Sequence, residues 1–415
     1  MTAPQPVPRS EAVAAPRPST VPHYDPADPA VQTDPYPLYH ALREADPLHW
    51  NPPGFWFLTR YEDVRTLLRD PRLGADNGGN TGSAGGGEGH TERMAGGDTP
   101  SMILMDPPGH TRLRALVNKA LTPRSIAYLH ERIERIVERL LDEWGTGERD
   151  FVEAFAYPLP LEVICEMLGV PDADRDDVRD WSEDMAHLVD PVVTPDTVRR
   201  GLRGRRKIVE YFRTLVAERR RAPGEDMLSG LIRAEAEGDR LSSEELLSTA
   251  ALLVVAGHET TANMIANGLL ALLRHPGQLE LLRSSGPGLV PAAVEETLRY
   301  DGPAQAVGRR ALEDIELHGV RIPRGARLVL SLGAANRDPA RFPDPDRLDI
   351  TRADNRHLAL SGGAHFCVGA PLARMEAVIA FTALLRRHPH PELAAEPRWR
   401  ERTGLRGLSE LRVRV

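Results

Sequence analysis

The chain has 415 residues, 41% of them hydrophobic and 27% charged, with a formal net charge of −8. That length suffices for one large or two ordinary domains, and the composition is that of a globular enzyme rather than a disordered chain. A negative molecule offers nucleic acid no overall attraction, and the arginines of 199–206 and 219–221 read as solvated helix faces. Two cysteines, Cys165 and Cys367, are too few for a disulfide framework and suit a reducing compartment. No apolar run reaches the length of a signal peptide core or a membrane span, so the cytoplasm is the expected location.

Residues 1–25 are rich in proline and alanine and read as a mobile tail, and residues 26–415 as a single, mainly α domain with a minor β portion. Phe55 to Leu58 read as a strand and Tyr61 to Leu68 as a short helix. The glycine-rich stretch 77–90 buries too little side chain to be rigid; it is a flexible surface loop, either a plain linker or a lid. From Pro123 to about Arg283 the pattern is helical, as in Ile133, Ile136, Val137, Leu140 and Leu141. Cys165, among apolar neighbours in LEVICEMLGVP, reads as an inert core residue.

The longest predicted helix follows Ser242, which offers a capping box with Glu245, and stops at Pro276. At about 32 residues it would span roughly 48 Å, the width of a domain. Its middle breaks two local rules, with Gly257 and the carboxylate of Glu259 inside an apolar run, and such lapses point to function. After Tyr300, EDIELHGVRIPRGARLVLSL reads as short strands, and NRDPARFPDPDRLDI as a meander.

The strongest chemical signal is SGGAHFCVGAPLAR. Gly362, Gly363 and Gly369 bracket Cys367 and remove side chains where backbone must pass close to something bulky. The helical spacing of Leu372, Met375, Val378 and Ile379 places Cys367 at or just before a helix N-terminus, whose dipole favours a thiolate. A lone cysteine cannot build a structural zinc site, whereas a thiolate on one axial position of haem iron needs no second protein ligand. A buried structural thiol beside a glycine turn remains the other reading of this loop alone.

The loop resembles that of the cytochrome P450 superfamily, in particular its soluble bacterial class, whose pattern is Phe-Gly-x-Gly-x-His-x-Cys-x-Gly. Gly363, His365, Cys367 and Gly369 match; Leu360 and Ser361 replace phenylalanine and glycine. The resemblance runs from about Tyr36 to the C-terminus and implies haem b, held between the long helix and the cysteine loop with Cys367 as iron ligand. It further implies that Glu296, Arg299 and Arg347 form a buried structural network. On the long helix, Gly257 would make room for dioxygen, Thr260 would hydrogen-bond the activated oxygen, and Glu259 would relay protons. His110 and Arg114, four apart on one helical face, with Arg309 (Arg310 being the neighbouring candidate) and His365, would hold the haem propionates.

What the resemblance implies is a monooxygenase that hydroxylates or epoxidises an apolar small molecule, such as a polyketide or macrolide secondary metabolite. Electrons would come from a separate ferredoxin and its NAD(P)H-dependent reductase. The same fold also supports oxidative coupling or cyclisation, or a haem-thiolate sensor without turnover; peroxide-driven chemistry is disfavoured by the intact acid–alcohol pair. The least patterned segments, 77–100 and about 180–200, are where specificity is expected to reside.

Overall fold

The computed structural model describes residues 22–52, 54–75, 101–121, 123–189, 195–236, 241–402 and 404–415. The glycine-rich stretch 77–90 and the rest of 77–100 lie outside these residues.

The molecule is organised around the long helix α6 (Ser243–Arg274), which is 32 residues long. Both halves of its capping box form, Ser242 Oγ accepting from Glu245 N and Glu245 accepting from Ser242 N. This satisfies two N–H groups that a helix start otherwise leaves unpaired. Pro276 does stop the helix, but by opening the next one at its first position. From Leu246 to Leu272 nearly every side chain is buried, as expected of a helix apolar on all sides.

Two apolar clusters flank α6. One holds α2 (Pro123–Trp144), whose Ile133, Ile136, Val137, Leu140 and Leu141 are all buried, together with α7 (Val290–Asp301) and α8 (Ala370–Arg387). The other holds α1 (Gly109–Ala120), α3 (Pro158–Leu168), α4 (Arg175–Ala186) and α5 (Pro195–Arg221). At about 1.5–3 kcal/mol per fully buried aliphatic side chain, these faces drive the helical assembly. Cys165 lies inside the second cluster with no exposed surface, and burial pushes its thiol up to about 12. It is a core residue.

The minor β portion is a five-stranded sheet in the spatial order β1 (Leu48–Asn51), β2 (Phe55–Leu58), β7 (Arg327–Ser331), β4 (Ala306–Ala311) and β3 (Leu73–Ala75). β2 reads as four consecutive apolar residues because both of its faces are covered: Trp56 and Leu58 join one cluster, Phe55 and Phe57 another. A hairpin of β5 (Ile315–Leu317) and β6 (Val320–Ile322) turns at His318 and Gly319, both with positive φ. Near the C-terminus β8 (Arg398–Trp399) pairs with β9 (Leu408–Glu410) in a second hairpin.

The chain is fixed earlier than the composition of the expected tail implies. Tyr24 is 3% exposed, its ring stacks on Phe57 at 4.3 Å, and its backbone exchanges two hydrogen bonds with the Asn51 side chain. One buried aromatic ring with paired backbone outweighs the proline-rich sequence before it.

The expected charged network forms around Glu296 and Arg299, but with a different third member. Arg299 binds Glu296 through two hydrogen bonds of 2.8 Å and donates to the carbonyls of Asn336, Pro345 and Arg347. Arg347 contributes only that carbonyl, and its residue is exposed. The second arginine on Glu296 is Arg352, at 3.3 Å, joined by Asn355 Nδ2 and by the Asp349 N–H. The meander turns between positions 347 and 352, so backbone path rather than spacing selects the partner. Truncating one member of a buried charge network leaves the others unpaired, at about 3–5 kcal/mol. Glu296→Ala should therefore leave little folded protein. In urea unfolding Arg352→Ala should be clearly destabilising, and Arg347→Ala should stay within about 0.5 kcal/mol of the parent.

Candidate active site

The cysteine loop is shaped by two left-handed residues, Ser361 with φ 63° and Gly363 with φ 64°. A Cβ on Gly363 would lie 2.3 Å from the Leu68 carbonyl oxygen, so only glycine fits there. Ser361 adopts a conformation that glycine tolerates and other residues reach at a cost of about 1–2 kcal/mol, and its hydroxyl is buried without a partner. Gly369 differs from both: a Cβ there would meet no protein atom within 4 Å. Within the protein, then, close approach singles out Gly363, Gly362 makes ordinary contacts with Leu68 and Arg69, and Gly369 fronts open space.

Cys367 lies three residues before α8. Its backbone N–H donates to the Leu360 carbonyl at 3.0 Å, so the leucine that replaces an aromatic residue still closes the loop through its main chain. Burial pushes the thiol up, opposed by the Gly369 and Ala370 N–H groups and by Arg114 and Arg374. The helix start does favour a thiolate, as expected, but desolvation is the larger effect. A cation bonded to the sulfur is what would hold it deprotonated.

Four expected residues meet beside the loop. The His110 and His365 rings have centroids 4.2 Å apart, and Arg114 donates to the Phe366 carbonyl at 2.6 Å. Arg309, 8% exposed, projects from β4 between β3 and β7, opposite Ala75 and Leu328. Burial, followed by Arg309, His110 and Arg114, drives His365 down to about 3; burial and Arg114 lower His110. Two histidines and two arginines thus share one positive field. His110, 2% exposed, keeps its Nδ1 buried without a partner. Such a cluster fits the carboxylates of a haem, and the soft sulfur and the open space before Gly369 fit its iron and its plane.

The middle of α6 is the one break in its burial. Ala256 is exposed, with Gly257 and Thr260 half-buried, and Ala256 and Thr260 lie one turn apart on the same face. Thr260 Oγ1 donates to the Ala256 carbonyl at 2.7 Å. Beside the role that the resemblance implies for it, Gly257 packs closely: a Cβ there would lie 3.1 Å from Ile164 Cδ1, so the glycine eases the approach of α6 to α3. Glu259, 1% exposed, is bound by Arg402 and lies 3.6 Å from Arg400, both from the C-terminal hairpin, while its Oε2 has no partner.

Two residues with the same spacing escaped the sequence reading. Asn263 and Asn267 continue Glu259 at intervals of four, giving α6 one buried polar stripe. Asn267 Nδ2 donates to the carbonyls of Asp301 and Arg406, and a Cβ on Gly407 would lie 2.1 Å from Asn263 Oδ1. The hairpin therefore rides along this stripe. Polar residues repeating every four positions in an apolar run were the available signal.

A cysteine on a tight glycine loop, a basic pocket beside it and a locally opened long helix together define a haem-thiolate protein. A model of the cytochrome P450 family matches residues 77–284 and 288–399. The chain is 46% identical over 367 residues to cytochrome P450 107B1 of Saccharopolyspora erythraea, covering 86% of this chain and 89% of that one. It is 39% identical over 392 residues to the polyketide biosynthesis cytochrome P450 PksS of Bacillus subtilis, covering 92% and 95%. The crystal structure of Mycobacterium smegmatis CYP164A2 superposes with a TM-score of 0.87 at 40% identity, over 94% of this chain and 98% of that one. The chain belongs to the cytochrome P450 family and is a haem-dependent monooxygenase. Among the described residues no helix is long and apolar enough to cross a membrane.

Two measurements probe the site as a folded object. Ser361→Gly should raise the unfolding free energy by about 1 kcal/mol, because it relieves a left-handed serine. His258, 0% exposed and bonded to Ser182 Oγ at 3.1 Å, is driven to about 3 by burial and by Arg400, Arg179 and Arg402. An unfolded histidine protonates near pH 6.5 while this folded one does not, so acid favours the unfolded chain. Stability should be intact above about pH 6.5 and fall progressively toward pH 3, by a few kcal/mol. His258→Leu should flatten that fall in pH-dependent denaturant titrations.

Proposed function

We propose that Cys367 is the axial ligand of haem b, that His110, Arg114, Arg309 and His365 hold its propionates, and that the chain hydroxylates an apolar small molecule of the polyketide class. The observation that carries the haem site is the convergence of a buried, N–H-bonded sulfur with a histidine–arginine cluster that contains an unpartnered buried nitrogen. The substrate class is supported by the likeness to the polyketide biosynthesis enzyme.

When bound, haem supplies the reductive activation of dioxygen that inserts one oxygen atom into the substrate and releases the other as water. The chain's own residues have three tasks. The Gly369 and Ala370 N–H groups and Arg114 and Arg374 stabilise negative charge on Cys367 Sγ. The basic cluster neutralises two carboxylates out of bulk water. Thr260 presents its hydroxyl from the exposed turn of α6, and Glu259, one residue away, moves protons to that turn. Electrons come from a ferredoxin and its NAD(P)H-dependent reductase. Phe366, 41% exposed on the cysteine loop, and the exposed Arg69 beside Gly362 offer an acidic carrier an aromatic and cationic surface there.

Cys367→Ser should abolish the reduced carbon monoxide band that gives the family its name; a variant that retained the band would refute ligation by this sulfur. Thr260→Ala should keep haem and consume NAD(P)H while diverting most of it to hydrogen peroxide. Glu259→Gln should slow product formation by about 10²-fold or more with little change in KM.

A further inference from the structure

Glu259 is almost wholly buried, so each proton it delivers must be replaced through the groups packed around it. From α4 comes Glu183, whose carboxylate lies 3.7 Å from Arg400 and whose carbonyl accepts from Arg402 at 3.1 Å. From α6 itself comes His258, in edge contact with the Tyr157 ring at 4.2 Å, with Arg179 and Arg400 over that ring at 4.7 and 5.1 Å. From the C-terminal hairpin come Arg400 and Arg402.

The two sides differ in what they can donate. His258 is neutral at working pH, and burial pushes the Tyr157 phenol up, so neither is a ready acid. On the hairpin side, Arg400 and Arg402 form one wall of a narrow cleft, open to solvent, between the hairpin and the N-terminal segment. Tyr24, Gln32, Gln305 and Arg406 line it elsewhere, and Arg406 donates to the Gln32 and Thr33 carbonyls at 2.6 and 2.9 Å. The cleft has room for about one water molecule, which stays ordered where it finds two to four polar partners, and this lining supplies them. An arginine does not release its proton, so Arg400 and Arg402 can orient water and carboxylate but not relay through themselves.

We infer that protons reach Glu259 from water in this cleft, with Arg402 as the positioning residue that holds the carboxylate toward it. The inference rests on Glu259 and Thr260 acting as the proton-delivering pair. In the step itself a hydrated proton from solvent passes to the Glu259 carboxylate, leaving water behind; no electron moves.

The test uses the haem-loaded enzyme with surrogate redox proteins. Val31→Trp and Gln32→Trp, at two cleft positions outside the catalytic machinery, independently fill the cleft; thermal melts establish that each is folded. Either should lower product formed per NAD(P)H about tenfold and enlarge the solvent deuterium effect, with KM unchanged. Arg402→Gln should do the same and Arg402→Lys should restore most of the loss. Independently of turnover, the Arg402 Nε–H should exchange with D2O about tenfold more slowly in both filled variants, by nitrogen-edited NMR. If the tryptophans change neither coupling nor exchange while Glu183→Gln reproduces the loss, protons enter across α4 and the cleft is irrelevant. Should Glu259→Gln itself leave the rate of product formation at the parent value, the acid assignment fails, and this inference with it.

Discussion

The buried charges of Glu296 and Arg299 tie the sulfur-bearing loop to the helical core. Glu296 and Arg299 sit one helical turn apart on α7, and between them they bind backbone or side chains at 336, 345, 347, 349, 352 and 355. Asn336, which gives its carbonyl to Arg299, gives its side-chain oxygen to the Leu358 N–H, two residues before the Leu360 carbonyl that receives the Cys367 N–H. An irregular segment has no ladder of its own to define it, so it borrows definition from a pair of charges that cannot stay buried apart. The position of the sulfur is thus specified by electrostatics some distance from the chemistry.

The opposite wall of the site is specified differently. α6 is held by apolar burial along nearly its whole length, which fixes its axis but not which polar groups it presents. That finer choice comes from the stripe of Glu259, Asn263 and Asn267 and from the hairpin that docks on it. The C-terminal hairpin is therefore part of the site's construction, although it lies far along the chain from the long helix.

Much of this was legible in the sequence because it is local. The capping box, the long apolar run, the strand at Phe55 to Leu58, and the glycine loop around Cys367 each declare themselves within a few residues. The basic cluster was legible through resemblance: His110, Arg114, Arg309 and His365 do come together, though they lie in separate parts of the chain. What spacing could not reveal were choices made by backbone path. It did not separate Arg352 from Arg347, which sit on the same meander, and it gave no hint that Arg400 and Arg402 would hold Glu259. The proline-rich composition gave no sign that Tyr24 would be buried, because a composition average does not register one tyrosine with an aromatic partner. Gly257 was singled out as anomalous, and the structure adds a close contact with a neighbouring helix that the sequence did not announce.

That last contact has an evolutionary corollary. Where α6 crosses α3, the gap is sized for the side chain of Ile164 against a bare backbone at Gly257. Two positions sharing one volume are not free to drift separately. Across relatives of this protein, alanine at the glycine site should travel with a smaller residue at the isoleucine site, so that the pair keeps its summed bulk.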